Sequence, residues 1–310
     1  MASATTFSEL QAVRQAAIRA IAYADVFDYP LDAAQVRRYL HGVAATGAAT
    51  TRALEQSTGP GGPLVHHEGF YALRGREHLV QERRRRAGHA TRLWPVAVWY
   101  GRLIAKLPFV RMVAVTGSLA WDNVNADGDI DYLVVTEPDR LWVCRWMIAV
   151  LTETVRLGGV PLCPNYVISE RALTLTDRNL YTAYELAQMK PIAGYETYRQ
   201  VREVNSWVQT FLPNTPPLEP SPEERWPAHA GMGTQLVRAA RLLEPVLRTK
   251  VGAALERLEM RYRIRKWTRH EANGTETEYG LDCCKAHTSA HKAKILVAFA
   301  ERVHRLETGE

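Results

Sequence analysis

The chain has 310 residues, of which 46% are hydrophobic and 23% are charged, and its formal net charge is +6. This globular composition excludes a largely disordered chain, and the length allows two ordinary domains or one large one. No apolar run reaches the roughly 18 residues of a membrane helix, and the N-terminus lacks a signal-peptide pattern. We therefore expect a cytoplasmic protein with no membrane partner, whose mild positive charge fits a polyanionic ligand such as a nucleotide or a nucleic acid.

Three predicted helices and a hairpin open the chain. Apolar residues recur at helical spacing within residues 8–27. A second helix should be capped by Asp32 and end at Gly42, and a third should lie between residues 48 and 57. The segment LVHHEGFYALRG then predicts two short strands that turn at its central Glu-Gly. This order of elements predicts a winged helix-turn-helix over residues 1–80.

The third helix of this unit determines whether DNA binding is expected. Its sequence, AATTRALEQS, has one Arg and one Glu. It therefore offers few side chains that could contact phosphates or read base edges. We do not favour DNA binding, and we expect the unit to pack on its neighbour or on a partner protein.

A long helical segment follows the hairpin, and four arginines, Arg83 to Arg86, stand in a row within it. Four consecutive residues cover every side of a helix, so at least one of these arginines should face inward. The others are expected to be solvated or to contact a phosphate near the cleft described below.

From Val110 the pattern becomes strand, polar turn, strand, helix and strand, followed by two predicted helices in residues 177–211. A proline-rich connector then leads to a tail that is mostly helical. We expect an α+β fold with a mixed sheet and flanking helices. The central domain should cover residues 81–215, and a helical C-terminal region should cover residues 216–310.

The helical tail is the basic part of the chain. Residues 238–269 contain ten Lys or Arg but only three Glu. Apolar residues at Leu242, Val246, Leu255 and Leu258 recur at helical spacing. This pattern predicts a helical bundle with an apolar inner side and a solvated basic face.

The segment VAVTGSLAWDNVNADGDIDYLVVT, residues 113–136, places two acids beside what otherwise has the pattern of a buried strand. Asp129 and Asp131 are two residues apart, so their side chains point to the same face of a strand. An unpaired buried carboxylate is costly, so the pair indicates a bound cation or a solvent-filled cleft. A calcium loop is excluded because its sixth and twelfth positions lack Gly and Glu, and a Walker loop is excluded because no Lys follows the glycine. The structural alternative is a packing unit with acids at a strand end.

An apolar strand, Gly117-Ser118, a spacer of ten residues and then Asp129-Ile130-Asp131 form one extended pattern. This pattern resembles the signature of the nucleotidyltransferase superfamily typified by DNA polymerase β. A looser resemblance extends over most of the chain to uncharacterised bacterial proteins that join a winged helix to such a domain. It is carried by the phrases LPFVRMVAVTGSLA, LYTAYELAQMKPIAG and NSWVQTFLPN.

The resemblance implies transfer of an NMP group from an NTP, such as ATP, to a hydroxyl-bearing acceptor with release of pyrophosphate. It implies that Asp129 and Asp131 are the catalytic metal ligands, for Mg²⁺ or alternatively Mn²⁺, and that Gly117 and Ser118 bind the triphosphate. Two carboxylates about 4 Å apart repel by roughly 4 kcal/mol at an effective dielectric of about 20, so a divalent cation would stabilise the pair. Carboxylate oxygens are also the ligands that Mg²⁺ prefers.

The superfamily usually has a third carboxylate on a later strand. In this chain Asn165 stands near the expected place, and an amide cannot act as a base. Glu170, Asp177 and Glu185 are further candidates for the third metal-ligand or base position.

The sequence leaves the acceptor open among a small molecule, a protein side chain and an RNA end, each of which presents an oxygen nucleophile. The alternative function is a non-catalytic regulatory protein that binds nucleic acid or nucleotides through a degenerate transferase domain. The Asn at position 165 favours this alternative, whereas the intact Gly-Ser and Asp-x-Asp favour catalysis.

Overall fold

The computed structural model describes residues 7–156, 159, 162–222, 225, 234–268, 277–285 and 291–309. The helices are α1 (Phe7–Asp25), α2 (Ala33–Arg38), α3 (Gly47–Thr58), α4 (Leu79–Ala105), α5 (Gly117–Ala120), α6 (Leu141–Arg156), α7 (Leu180–Gln188), α8 (Tyr195–Val204), α9 (Val208–Phe211), α10 (Thr234–Leu247), α11 (Lys250–Thr268) and α12 (His291–Thr308). The strands are β1 (Leu64–His67), β2 (Phe70–Leu73), β3 (Val110–Val115), β4 (Ile130–Thr136), β5 (Leu162–Ser169), β6 (Lys190–Ala193), β7 (Glu278–Tyr279) and β8 (Cys283–Lys285). Helices flank a mixed sheet, as the sequence predicts.

The N-terminal elements α1, α2, α3 and the β1–β2 hairpin share an apolar core of their own. Asp32 caps α2 as predicted, because its carboxylate accepts from the Gln35 backbone N–H at 2.8 Å and the Gln35 side chain bonds back to Asp32. The predicted end of this helix at Gly42 is wrong, since α2 ends at Arg38. Gly42 lies in the following loop, where its N–H donates to the Phe211 carbonyl at 2.8 Å.

The large sheet has the strand order β6-β3-β4-β5-β8-β7, in which only the β4–β5 pair is parallel. One face packs on α4, α6, α10 and α11, and the other face packs on α1, α7, α8 and α12. Alternate residues of β3 follow this division, with Val113 in the first core and Met112 in the second. The side chains of β4 are therefore sorted between two layers, and this sorting positions the site described below.

Three strands differ from the sequence prediction. The segment 177–211, predicted to form two helices, contains the strand β6 between α7 and α8. Pro191 is tolerated there because β6 is an edge strand. The tail, predicted to be mostly helical, also contains the β7–β8 hairpin, which extends the sheet beyond β5.

The apolar side chains predicted for the inner side of the tail are exposed. Leu242 and Leu258 have exposed fractions of 81% and 61%, and Val246 and Leu255 are also exposed. Helix α10 instead buries Val237, Ala240 and Leu247 in the core on the first face of the sheet, and α11 packs Met260, Ile264 and Trp267 against it. Helical spacing had identified an apolar stripe, but this stripe is not the one that packs on the sheet. Among the described helices, none combines the length and the apolar character needed to cross a membrane.

A half-buried histidine beside the second core makes folding sensitive to pH. His41 lies 3.0 Å from the Tyr184 hydroxyl and contacts the rings of Tyr184 and Phe299. Burial, and then the charge of Arg19, lower the pKa of His41 from 6.5 to about 3. An unfolded His41 binds a proton near its ordinary pKa, whereas the folded one stays neutral. Its contribution to stability is therefore present above pH 6.5 and is lost as the pH falls toward 3.

We expect the free energy of unfolding to fall by about 2 kcal/mol between pH 7 and pH 5 through His41 alone. His41→Gln, which keeps a hydrogen-bonding side chain, should remove this part of the loss. Urea unfolding at both pH values measures the difference. His304→Gln, on the exposed surface of α12, is the control and should follow the wild type. An unchanged pH dependence in His41→Gln would show that another group is responsible.

Candidate functional site

A cavity of about 1180 Å³ opens on the second face of the sheet. It brings together four residues that the sequence motif predicts, namely Gly117, Ser118, Asp129 and Asp131. It also contains Glu185, which sequence analysis had named only as one candidate for the third acidic position. The cavity is therefore the candidate active site.

The β3–β4 pair positions the two halves of the motif. Val115 at the end of β3 pairs with Tyr132 in antiparallel register, and the Thr116 N–H donates to the Asp131 carbonyl at 3.0 Å. The residues after β3 therefore lie beside those that begin β4. A spacer of ten residues in the sequence becomes a direct contact in the fold.

Gly117 lies directly against the carboxylate of Asp131. A Cβ built on Gly117 would collide with one Asp131 carboxylate oxygen and would stand 3.2 Å from its Cγ. The backbone of Gly117 also has φ +63°, in the left-handed region that favours glycine. Both the turn and the close approach require a residue with no side chain at this position.

The alternation of β4 places both acids on the cavity side. Ile130, between them, is fully buried in the opposite core. Asp129 precedes the strand and is exposed, and Asp131 is half-buried. The pair is therefore reachable from solvent and from any ligand in the cavity.

Cys163 of β5 pairs with Asp131 across the parallel strands. Burial, and then the charges of Asp131 and Asp129, raise the pKa of this free thiol to about 12, and the thiol hydrogen-bonds Asp131. It is therefore protonated at neutral pH and donates to the carboxylate. The strand position next to Asp131 thus holds a neutral donor.

The sequence candidate Asn165 belongs to an irregular part of β5. Asp131 pairs with Cys163 and Leu133 pairs with Tyr166, so β5 has one extra residue here, as in a β-bulge. The side chain of Asn165 lies outside the described residues.

The candidates Glu170 and Asp177 lie in different places. Glu170 follows the far end of β5, roughly 20 Å along the strands from Asp131, and its carboxylate lies 3.8 Å from Arg111. The structure does not bring it to the cavity. Asp177 does line the cavity, where its carboxylate lies 2.5 Å from the Lys292 amine.

Glu185 supplies a third carboxylate from a helix. It belongs to α7, whose first turn is fixed by Asn179, the side chain of which accepts from the Thr182 N–H at 3.0 Å. Burial, and then the charge of Asp131, raise the pKa of Glu185 to about 7, while Lys285 lowers it. The two acids therefore affect each other, and Glu185 can take up or release a proton near neutral pH.

Glu185→Gln should stabilise the protein at alkaline pH when EDTA removes metal ions. Because the folded pKa of about 7 exceeds the ordinary 4.5, ionised Glu185 destabilises the fold increasingly as the pH rises from 4.5 to 7. We expect the variant to gain about 2 kcal/mol relative to the wild type between pH 5 and pH 8. Urea unfolding at both pH values is the measurement, with the exposed Glu153→Gln as control. A constant difference between variant and wild type would contradict the prediction.

Positive side chains also reach the cavity. Of the predicted arginine row, Arg83 faces inward and its guanidinium lies 4.3 Å from the ring centre of Tyr29. Arg86 lines the cavity, where the Glu82 carboxylate and the Phe27 carbonyl hold it at 2.8 and 3.0 Å. These contacts fix its guanidinium at the edge of the site.

Two lysines in the cavity were missed by sequence analysis. Lys285 of β8 pairs with Tyr166, and its amine lies 5.5 Å from the centre of that ring. Lys292 comes from α12. The β7–β8 hairpin has no alternating pattern long enough to predict a strand, so nothing in the sequence placed these amines beside the acids.

Aromatic rings form one wall of the cavity. Tyr23 of α1 and Tyr184 of α7 stack with ring centres 4.0 Å apart, and Trp121 stacks on Tyr184 at 5.6 Å. Phe27 and Tyr181 also line this wall. These rings give the cavity an apolar wall beside its charged side chains.

The donor set suits Mg²⁺ through carboxylate oxygens. Asp129 and Asp131 could hold the ion, and Asp177, Glu185 and Glu278 are the other acids that line the cavity. In the described part of the chain, no group of three or more His, Cys, Asp or Glu side chains is already arranged to hold a metal ion. Mg²⁺ commonly binds through one or two carboxylates and completes its shell with water and substrate phosphates.

Comparison with known proteins gives no assignment. No protein-family model matches the chain, and neither a curated protein nor a solved structure matches it. Any functional assignment therefore depends on the residues and geometry of the cavity.

Proposed function

We propose that the protein is a Mg²⁺-dependent nucleotidyltransferase that transfers an NMP group from an NTP to a hydroxyl-bearing acceptor. One observation supports this most strongly: the Asp131 carboxylate lies against Gly117, in a cavity that also contains Ser118, Asp129 and Glu185. The two halves of the motif, Gly117-Ser118 and Asp129-Ile130-Asp131, are separated by ten residues in the sequence but are in contact in the fold. We further propose that the three N-terminal helices and hairpin are a winged helix and that the central sheet is a nucleotidyltransferase domain.

The residues of the cavity have separate roles in this reaction. Gly117 lets the Asp131 carboxylate lie against the backbone that would face the triphosphate, the Ser118 hydroxyl donates to a phosphate oxygen, and the Lys285 amine offsets phosphate charge. Mg²⁺ held by Asp129 and Asp131 would supply charge stabilisation to the triphosphate. These groups orient the α-phosphorus toward the acceptor.

Glu185 is the proposed base. The acceptor oxygen attacks the α-phosphorus, the bond to the leaving pyrophosphate oxygen breaks, and the acceptor proton passes to the Glu185 carboxylate. Burial and the charge of Asp131 raise the pKa of Glu185 to about 7 in the absence of a metal ion, so its carboxylate is a stronger base than an exposed one.

The C-terminal region contributes to the cavity through the β7–β8 hairpin and α12. Glu278, Cys283, Lys285, His291 and Lys292 line it, and no residue of α10 or α11 does. We propose that Cys283, His291 and Lys292 form the acceptor side of the site. A small hydroxylated molecule, a protein side chain and an RNA 3′ end are the acceptor classes to compare.

The test supplies each NTP, labelled at the α-phosphate, with Mg²⁺ or Mn²⁺ and with the three acceptor classes in separate reactions. Pyrophosphate release together with transfer of the label to an acceptor supports the proposal. Nucleotide binding without turnover under all of these conditions would instead support the alternative, a non-catalytic nucleotide-binding regulatory protein. Absence of both binding and turnover would rule out the site assignment.

A further inference from the structure

A second cavity, of about 990 Å³, lies where α1, the β1–β2 hairpin and α12 meet. Apolar side chains contribute to its lining, among them Ile18, Leu73 and Leu306. Six arginines also line it, against the two described carboxylates of Asp25 and Glu307: Arg14, Arg19, Arg74, Arg76, Arg302 and Arg305. We call this cavity the arginine pocket.

A buried carboxylate fixes two of these arginines. Asp25 accepts from the Arg76 Nε at 3.0 Å through one oxygen and from the Arg302 Nε at 2.8 Å through the other. Asp25 is only 6% exposed, so its carboxylate contacts these two arginines rather than solvent. One carboxylate thus holds guanidinium groups from the β2 loop and from α12 in place, and Asp28 gives Arg76 a second carboxylate partner at 2.5 Å.

Three other arginines keep their charge available. Within the described ranges of the chain, Arg14, Arg74 and Arg305 form no ion pair with a carboxylate. Arg14 donates to the Ser57 hydroxyl at 3.4 Å, and Arg74 donates to the Gly62 carbonyl at 2.6 Å. These neutral partners orient the guanidinium groups without cancelling their charge. The pocket therefore has a positive excess inside a concave surface.

We propose that the arginine pocket is a second binding site for a ligand that carries several clustered phosphates. Arginine presents a planar fork of N–H donors that matches phosphate oxygens, and a cluster of guanidinium groups in a cleft attracts a multiply charged anion. The phosphates can belong to a free nucleoside polyphosphate or to the phosphodiesters of an RNA strand. The site involves none of the residues of the candidate active site, so it does not depend on the proposed catalysis.

The probe is inorganic tripolyphosphate, titrated calorimetrically into the full-length protein in EDTA, which suppresses metal-dependent binding beside Asp129 and Asp131. We expect saturable binding to the wild type. The double variant Arg14→Ala/Arg305→Ala should bind about tenfold or more weakly, because it removes two charge-assisted contacts. Arg52→Ala, an exposed arginine on α3 outside the pocket, is the matched control and should bind like the wild type.

Circular dichroism and urea unfolding confirm that the variants are folded, and Arg305→Gln alone tests the site if the double variant is not. Equal affinity in the wild type and in the folded variants, or no binding by the wild type, would overturn the proposal. Parallel titrations with ATP and with a short single-stranded RNA then distinguish the two sources. An RNA ligand should bind with an affinity that falls steeply with salt, because each neutralised phosphate releases counterions.

Discussion

Asp131→Asn should lower the rate of nucleotidyl transfer by about a thousandfold or more, since it removes one of two carboxylates expected to bind the metal ion. Asp131 is the most connected acid of the site: it contacts Gly117, accepts from the Cys163 thiol and raises the pKa of Glu185. Asparagine has nearly the same shape and keeps an acceptor for the thiol, so the fold should persist. Asp129→Asn should act in the same direction.

The measurement is label transfer at saturating NTP and Mg²⁺, compared with Asp127→Asn. Asp127 lies in the same loop as Asp129, is exposed and does not line the cavity, so this control should keep full activity. A second readout does not depend on catalysis: in Asp131→Asn the pKa of Glu185 should fall below its wild-type value, because a neighbouring negative charge has gone. Full activity in both Asp129→Asn and Asp131→Asn would disprove the assignment.

The part of the site that the sequence predicted is the part built from neighbouring strands. Gly117 lies two residues after the end of β3 and Asp131 is the second residue of β4, and the antiparallel register brings them into contact. Such a hairpin is a local arrangement, so the spacing of the motif in the sequence is enough to foresee the contact. The capping of α2 by Asp32 was predictable for the same reason, because the cap and its partner are three residues apart.

The sequence could not predict in the same way which residues reach the cavity from elements that are distant along the chain. Glu185 reaches the cavity because α7 packs on the second face of the sheet, and Lys285 reaches it because β8 pairs with β5. Neither contact leaves a pattern in the local sequence. Glu185 could be named only as one of several acids, and the strand β8 was predicted as helical tail.

The exposed side chains of α10 and α11 show a further limit. Leu242 and Val246 are spaced as an apolar stripe on one side of a helix, yet both are exposed, while Val237 and Leu247 are buried. Periodicity identifies which residues share a face of a helix, but the surrounding fold decides which face is covered. Burial in this region depends on where α6 and the sheet lie, and the tail sequence does not encode their position locally.

Gly117→Ala should impair both stability and activity, because two separate effects act at this position. Alanine at φ +63° costs about 1 kcal/mol, and its Cβ would collide with the Asp131 carboxylate. We expect a total loss of about 2 to 3 kcal/mol in the free energy of unfolding and a fall in transfer rate of about a hundredfold, since Asp131 must move. Gly75→Ala is the matched control. Gly75 has φ +84° but open space around it, so the free energy of unfolding should fall only by the backbone contribution of about 1 kcal/mol.

A double-mutant cycle separates the two effects of Gly117→Ala. In an Asp131→Ala background the carboxylate is absent, so the same glycine substitution should cost only about 1 kcal/mol, as at Gly75. The difference between the two backgrounds measures the coupling between Gly117 and Asp131, and we expect at least about 1 kcal/mol. Coupling near zero would mean that the carboxylate does not lie against Gly117, and the contact that joins the two halves of the motif would then be absent. A clear coupling, together with loss of transfer in Gly117→Ala and normal transfer in Gly75→Ala, would tie the activity to that contact.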